Sequence, residues 1–241
     1  MFKPTRTNIP ADVMEELKKV SAATACGTLM KLGYRNTFMH AIQPMSLGQK
    51  MMGRARTIRY LPVREDVAKI KADERGQLAD FQALEATRPG DVIVCDVGFH
   101  GGSASTFGDV MTSRFKYQKG AGLVVDGPVR DVGILRTMGV PVFYRETHAV
   151  PGPNAIWPWD HDIPVQCGGV LIVPGDIIIG DDDGVVAIPQ AVASEVARLG
   201  VEEEEMEAFV RERLSRGGSI SDYYPPTEKT REAMLAARTK K

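Results

Sequence analysis

Apolar positions along the chain alternate between a helical and a strand rhythm. Val13, Met14, Leu17, Val20, Ala23, Ala25, Leu29 and Leu32 recur at mostly helical spacing. Gly27 predicts a break into two helices there, and Gly33 ends the segment. After a turn from Pro44 to Gly48, Ala55, Thr57, Ile58 and Tyr60 suit a strand. Asp66 to Leu84 reads as a helix whose charged face (Lys69, Lys71, Asp73, Glu74, Arg75) is solvated. A Pro-Gly-Asp turn then feeds the apolar run of RPGDVIVCDVG, and the same phrase returns in VPGDIIIGDDDGVVAIP. The recurrence fits an internal duplication, and equally the common way a chain enters a buried strand.

Between these phrases the stretch Gly98 to Asp131 runs from a glycine-rich loop (Gly98, Gly101, Gly102, beside His100) through an acidic turn at Gly108-Asp109 into a helix. It continues as an apolar strand ending in Arg130-Asp131. VGILRTMG reads as a short helix and VPVFYRE as a strand. Strand, helix, strand, short helix, strand implies an α/β protein with parallel or mixed pairing and crossovers. The proline-rich Pro151 to Pro164, with both tryptophans, Asp160, His161 and Asp162, is expected to be a loop. A strand pair follows, with a hairpin around Asp181, Asp182, Asp183 and Gly184. Pro189 opens a long helix, about Gln190 to Arg216, so residues 1–216 form a single domain and 217–241 a poorly anchored arm.

Composition narrows the classes. The chain has 241 residues, 43% of them hydrophobic, enough for a real core. Its 30 basic and 31 acidic residues nearly cancel without a basic block, which argues against a nucleic-acid partner. No run approaches a membrane span and the N-terminus lacks an apolar signal region, so a cytoplasmic protein with no membrane partner is expected. Cys26, Cys95 and Cys167 are widely spaced and read as reduced and buried. His40, His100, His148 and His161 lack zinc-site spacing, and no Walker A, Rossmann or G-x-S-x-G signature is present.

Arg130 and Asp131 sit where an open α/β sheet places its ligand crevice, with Asp109 at a helix start. Adjacent side chains diverge at a strand end, so the two are expected to do separate jobs: Asp131 as a hard oxygen ligand for Mg²⁺ or Mn²⁺, Arg130 as a fixed cation for a carboxylate or enolate. A structural turn accounts for the same spacing. Asp181 to Asp183 read as a polar turn, and Glu202 to Glu205 as a helix face of which one or two point inward.

Gly108-Asp109, twenty intervening residues and Arg130-Asp131, set in GLVVDGPVRD, resemble the D-x20-R-D signature of the family containing 4-hydroxy-4-methyl-2-oxoglutarate / 4-carboxy-4-hydroxy-2-oxoadipate aldolases and RraA-like proteins. VSAATACGTLMKLG, MGRARTIRYLP, RPGDVIVCDVG and CGGVLIVPGDIIIGDDDGVVAIP are similar to family phrases too. The resemblance implies a layered β/β/α fold assembled as a homotrimer or homohexamer with sites between subunits. It implies a class II pyruvate aldolase, commonly with oxaloacetate decarboxylase activity, that uses Mg²⁺ or Mn²⁺ on a small 2-oxo acid. Asp131 then matches the metal ligand, and Arg130 the residue that holds the keto acid and steadies its enolate. Asp109 matches the carboxylate near the metal waters, while the helix opened by Gly108 offers the amides of Val110 and Met111 to the substrate carboxylate. Family aldolases also draw a glutamate from a neighbouring subunit's C-terminal helix, matched here by Glu204 from its distance after Pro189. Members of the RraA type instead inhibit an RNA-degrading enzyme by protein contact.

Overall fold

The computed structural model describes residues 6–68, 72–98, 104–152 and 155–238. Two helices open the chain, α1 (Ala11–Leu17) and α2 (Ala22–Lys31). The break between them falls at Ser21 rather than at Gly27, which lies inside α2. The Ser21 side chain accepts from the Thr24 N–H at 3.1 Å, and a cap of this kind outweighs the modest helix cost of one glycine.

The short strand β1 (Gln43–Pro44) and the twelve-residue β2 (Met51–Pro62) follow. Of the helix expected over Asp66 to Leu84, the described part contains a 3-10 turn (Ala72–Gln77) and α3 (Ala79–Glu85), separated by Leu78 in extended conformation. The charged run carries too few apolar residues for one continuous helix to pack. Next come β3 (Asp91–Asp96), α4 (Asp109–Tyr117), β4 (Gly122–Val129), α5 (Val132–Leu135) and β5 (Val142–Thr147). The region expected to be a loop contains β6 (Ile156–His161), which pairs antiparallel with β2 across a register break at Arg59/Tyr60. Pro158 is tolerated beside that irregularity, where a missing N–H matters least. A small hairpin, β7 (Val165–Cys167) with β8 (Val170–Ile172), leads to β9 (Ile177–Asp181) and β10 (Gly184–Ile188), the hairpin the sequence foretold. The long helix α6 (Ala193–Ser215) follows, and the stretch after Gly217 carries α7 (Ile220–Tyr223) and α8 (Glu228–Arg238). Tyr223 meets the Phe209 ring of α6 edge-on at 6.5 Å, tying that stretch to the body.

The main sheet has the order β1-β5-β4-β3-β2-β9-β10, with β6 also on β2. Strands β2, β3, β4 and β5 are parallel, and their crossovers carry α3, α4 and α5. The segment before β1 bonds to β10 (Met39 N–H to Val185 O, 2.9 Å; Ala187 N–H to Thr37 O, 2.9 Å), so the sheet nearly closes on itself. Strand alternation divides the core. Ile93, Cys95, Leu123 and Val125 face Phe107, Phe115 and Leu135 on the helical side. Val92, Val94 and Val124 face inward with Val165, Cys167, Val170 and Ile172 of the small hairpin. On β9 and β10, Ile177, Ile179, Val186 and Ile188 turn outward against α1, α2 and α6. This is the layered α/β architecture with a long C-terminal helix expected from the sequence. Among the described residues no helix is long and apolar enough to cross a membrane.

Candidate active site

Parallel pairing brings the carboxyl ends of β3, β4 and β5 to one side of the sheet, the usual place for a ligand crevice. The segment before α4 is laced to the end of β4: Thr106 N–H donates to Pro128 O and Arg130 N–H to Phe107 O, both at 3.0 Å. That lacing sets Gly108 and Asp109 beside Arg130 and Asp131. A Cβ on Gly108 would lie 2.9 Å from Arg130 Nε and would also strike Asp131 Oδ2, so a side chain does not fit there.

Arg130 and Asp131 do not diverge as expected; Arg130 Nε lies 3.2 Å from Asp131 Oδ2. Asp131 has φ 57° and ψ 33°, a left-handed conformation that few residues other than glycine, asparagine and aspartate adopt readily. The turn reverses the strand's usual alternation and folds the Asp131 carboxylate back toward its neighbour. The Asp131 carbonyl then accepts from Ile134 and Leu135, at 2.9 and 3.0 Å, and starts α5. A left-handed non-glycine residue at the end of a buried strand is the kind of strain that collects at functional sites.

The same Oδ2 accepts weakly from the Asp109 N–H at 3.4 Å. Asp109 Oδ1 accepts from the Val110 N–H at 2.7 Å, and Thr112 Oγ1 donates to Gly108 O at 2.8 Å, fixing the first turn of α4. Val110 is exposed, while Met111 is half-buried against the core. Gly108, Asp109, Val110, Met111, Arg130 and Asp131 therefore form one cluster. It offers two carboxylates and a guanidinium, with the helix N-terminus beside them. Hard oxygens of this kind suit Mg²⁺ or Mn²⁺, which keep several waters and take only one or two protein carboxylates. Among the described residues no group of three or more histidine, cysteine, aspartate or glutamate side chains is placed to hold a metal.

Glu204 is placed elsewhere. It lies on α6, and Oε1 accepts from the Ser21 N–H at 2.8 Å, at the start of α2 in its own chain. Burial pushes its pKa up, but hydrogen bonds from Ser21 and Thr24 and the charge of Lys50 more than offset this and hold the carboxyl below its ordinary range. Glu203 pairs with Lys31 at 2.9 Å, and Glu202 with Arg198 at 3.0 Å. Asp181 and Asp182 are structural as expected, accepting from the N–H groups of Ala22 and Gly48, both at 2.7 Å. His100, Gly101 and Gly102 lie outside the described residues.

Sequence reasoning missed a second polar cluster. Asp96 and Asp126 stand side by side in the register of β3 and β4, and both are buried. Asp126 Oδ1 accepts from Arg145 Nε at 2.6 Å, while Oδ2 accepts from Gln166 Nε2 at 2.9 Å and from the Gly168 N–H at 2.7 Å. Asp96 Oδ2 accepts from the Gln166 N–H at 3.2 Å; burial pushes its carboxyl up despite that bond and the nearby Arg59. The signal was an aspartate closing each of two successive apolar runs, VIVCD and LVVD.

This arrangement is that of a family of layered α/β proteins. Residues 11–187 match the RraA-like family, described as Aldolase/RraA, and the chain belongs to it. It is 35% identical to Streptomyces coelicolor RraAS2, described as an unusual member of the RNase ES inhibitor RraA family; the match covers 85% of this chain and 98% of that one, with a TM-score of 0.74. An uncharacterized protein from Pseudomonas syringae pv. tomato is 25% identical, over 91% and 95% of the two chains, with a TM-score of 0.80. A Halalkalibacterium halodurans protein provisionally named a 4-hydroxy-4-methyl-2-oxoglutarate aldolase is 33% identical over 62% of this chain and 64% of its own length. Protein DlpA of Legionella pneumophila is 29% identical over 87% of this chain, but the match spans 32% of DlpA.

Proposed function

We propose that this protein is a carbon–carbon lyase, a class II pyruvate aldolase that releases pyruvate from a small 2-oxo acid such as 4-hydroxy-4-methyl-2-oxoglutarate and decarboxylates oxaloacetate. The observation that carries the reading is the convergence of Arg130, Asp131 and Asp109 at the first turn of α4. A binding surface alone has no need of a paired carboxylate and guanidinium beside a helix N-terminus. The aldolase name borne by the Halalkalibacterium relative supports it.

Asp131 would hold a Mg²⁺ or Mn²⁺ ion, with Asp109 close to its waters, and such an ion polarises a keto oxygen. Arg130 binds the keto acid and neutralises charge where the enolate develops. The N–H groups of Val110 and Met111 bind the substrate carboxylate at the positive end of α4. The Val110 amide now serves Asp109, so an arriving carboxylate would displace the Asp109 side chain, leaving it able to orient a water for proton transfer. A place for Glu204 in a neighbouring subunit of a homotrimer or homohexamer would cost α2 its contact at Ser21.

Pyruvate release from oxaloacetate, measured with and without EDTA, tests the proposal. Metal-dependent turnover is expected. No turnover on any 2-oxo acid would favour the second reading, a non-catalytic regulator of a ribonuclease, which the likeness to RraAS2 supports.

A further inference from the structure

On the inner face of β4, away from Arg130 and Asp131, lies a cavity of about 390 Å³ lined by His40, Gly98, Asp126, Gly127, Arg145, Glu146, Gln166, Gly168 and Gly169. Its volume falls in the ~300–1,000 Å³ range of small-molecule pockets, and it sits at the carboxyl ends of β3, β4 and β5. None of the cluster around Asp131 lines it. Val124 and Asp126 share the inner side of β4, whereas Gly127 abuts Val97 of the helical core on the other side.

The walls are pre-organised. Buried Asp126 holds Arg145 through Nε at 2.6 Å and Nη2 at 2.5 Å, and Nη2 also lies 3.4 Å from His40 O. A guanidinium has five N–H donors. Those contacts occupy Nε and Nη2, and Nη1 has no partner among the described residues. The His40 backbone N–H bonds Gly168 O at 2.9 Å, and its ring packs edge-on to Phe38 at 5.7 Å. A Cβ on Gly168 would approach His40 N to 2.7 Å, so that glycine permits the close seating of His40 on the β7–β8 turn. Gln166 is spent on Asp126 and on the Gly169 N–H, while Glu146 is exposed at the same cavity. Unspent donors on Arg145 and His40 thus face the same space as an acceptor, Glu146.

We propose that this cavity is a second ligand site, taking a small hydroxylated carboxylate: the carboxylate on Arg145 and His40, the hydroxyl donating to Glu146. The inference is independent of the lyase reading.

The test is isothermal titration of the full chain carrying Arg130→Ala, in EDTA, with L-malate and with succinate, which lacks the hydroxyl. One malate per chain is expected, with succinate weaker by about fivefold or more, the range for a lost hydrogen-bonding group. Arg145→Lys keeps the charge against Asp126 but removes the planar fork, so it should weaken malate about tenfold or more. His40→Ala, at an exposed position, should weaken malate without disturbing Asp126, and Glu146→Ala should erase the preference over succinate. If Arg145→Lys misfolds, by circular dichroism, the His40 and Glu146 variants decide. Absence of malate binding from the Arg130→Ala chain overturns the proposal. So does binding that Arg145→Lys and His40→Ala leave unchanged, or equal affinity for malate and succinate.

Discussion

The backbone N–H of Asp109 and the Oδ2 of Asp131, twenty-two positions apart in sequence, lie 3.4 Å apart in the fold. That contact joins the start of α4 to the end of β4. It makes the carboxylate of one motif half a partner for the helix terminus of the other, so each half of the cluster depends on the other's position.

Arg130 and Asp131 should fail in different ways when changed. Arg130→Lys supplies a point charge in place of a fork, and kcat for pyruvate release is expected to fall roughly 10²- to 10³-fold, as for loss of one oxyanion donor. Asp131→Asn is expected to weaken metal binding, so added Mn²⁺ should restore part of its activity, whereas no Mn²⁺ concentration should restore Arg130→Ala. Equal rescue of both variants would reverse the assignment.

Gly108→Ala is the steric test. The new methyl would collide with Arg130 Nε and Asp131 Oδ2, so Arg130 must give way. A loss of kcat/KM of at least about tenfold is expected, because small misplacements of a reacting group are costly. Circular dichroism should show an unchanged fold; wild-type kinetics would mean that the pair can shift without consequence.

Glu204 separates cap from catalysis. If its role is the bond to Ser21, Glu204→Gln should cost stability on the order of 1 kcal/mol, the scale of a helix cap, with kcat within about threefold of wild type. A loss of 10²-fold or more at unchanged melting temperature would instead place it in a neighbouring subunit's site. Light scattering supplies the companion measurement: a trimer or hexamer is expected for wild type and for Asp131→Ala, which removes the proposed metal ligand rather than packing.

Asp80 sets a pH dependence of stability. Its carboxyl is buried, and desolvation outweighs the bonds from Phe81 N–H and Tyr60 OH to raise the pKa from 3.8 to about 6. Between those values the folded state binds more protons than the unfolded one, so this group's contribution falls as pH rises across that window. Two units at ~1.4 kcal/mol each bound the penalty at roughly 3 kcal/mol. Asp80→Asn is therefore expected to melt higher than wild type at pH 8, with the advantage shrinking toward pH 4. A constant difference across that range would show that Asp80 does not titrate as described.

The sequence by itself determined the strand–helix alternation with its crossovers, the β9–β10 hairpin, the long α6 and the meeting of Gly108-Asp109 with Arg130-Asp131, while parallel or mixed pairing stayed open until the fold made β2 to β5 parallel. These follow from apolar periodicity, turn residues and the length of one crossover, all of which are local or nearly so. Only the tertiary structure decided the rest. β6 exists because β2 offers it an edge, even though its own stretch is rich in proline. The Arg130–Asp131 contact depends on one backbone rotation at Asp131, to which apolar pattern is blind. Glu204 found Ser21, and Asp126 found Arg145 and Gln166, across separations of 183, 19 and 40 positions. Nothing in a short window records such bonds, because packing sets them: a buried carboxylate must meet donors wherever the closed sheet brings them.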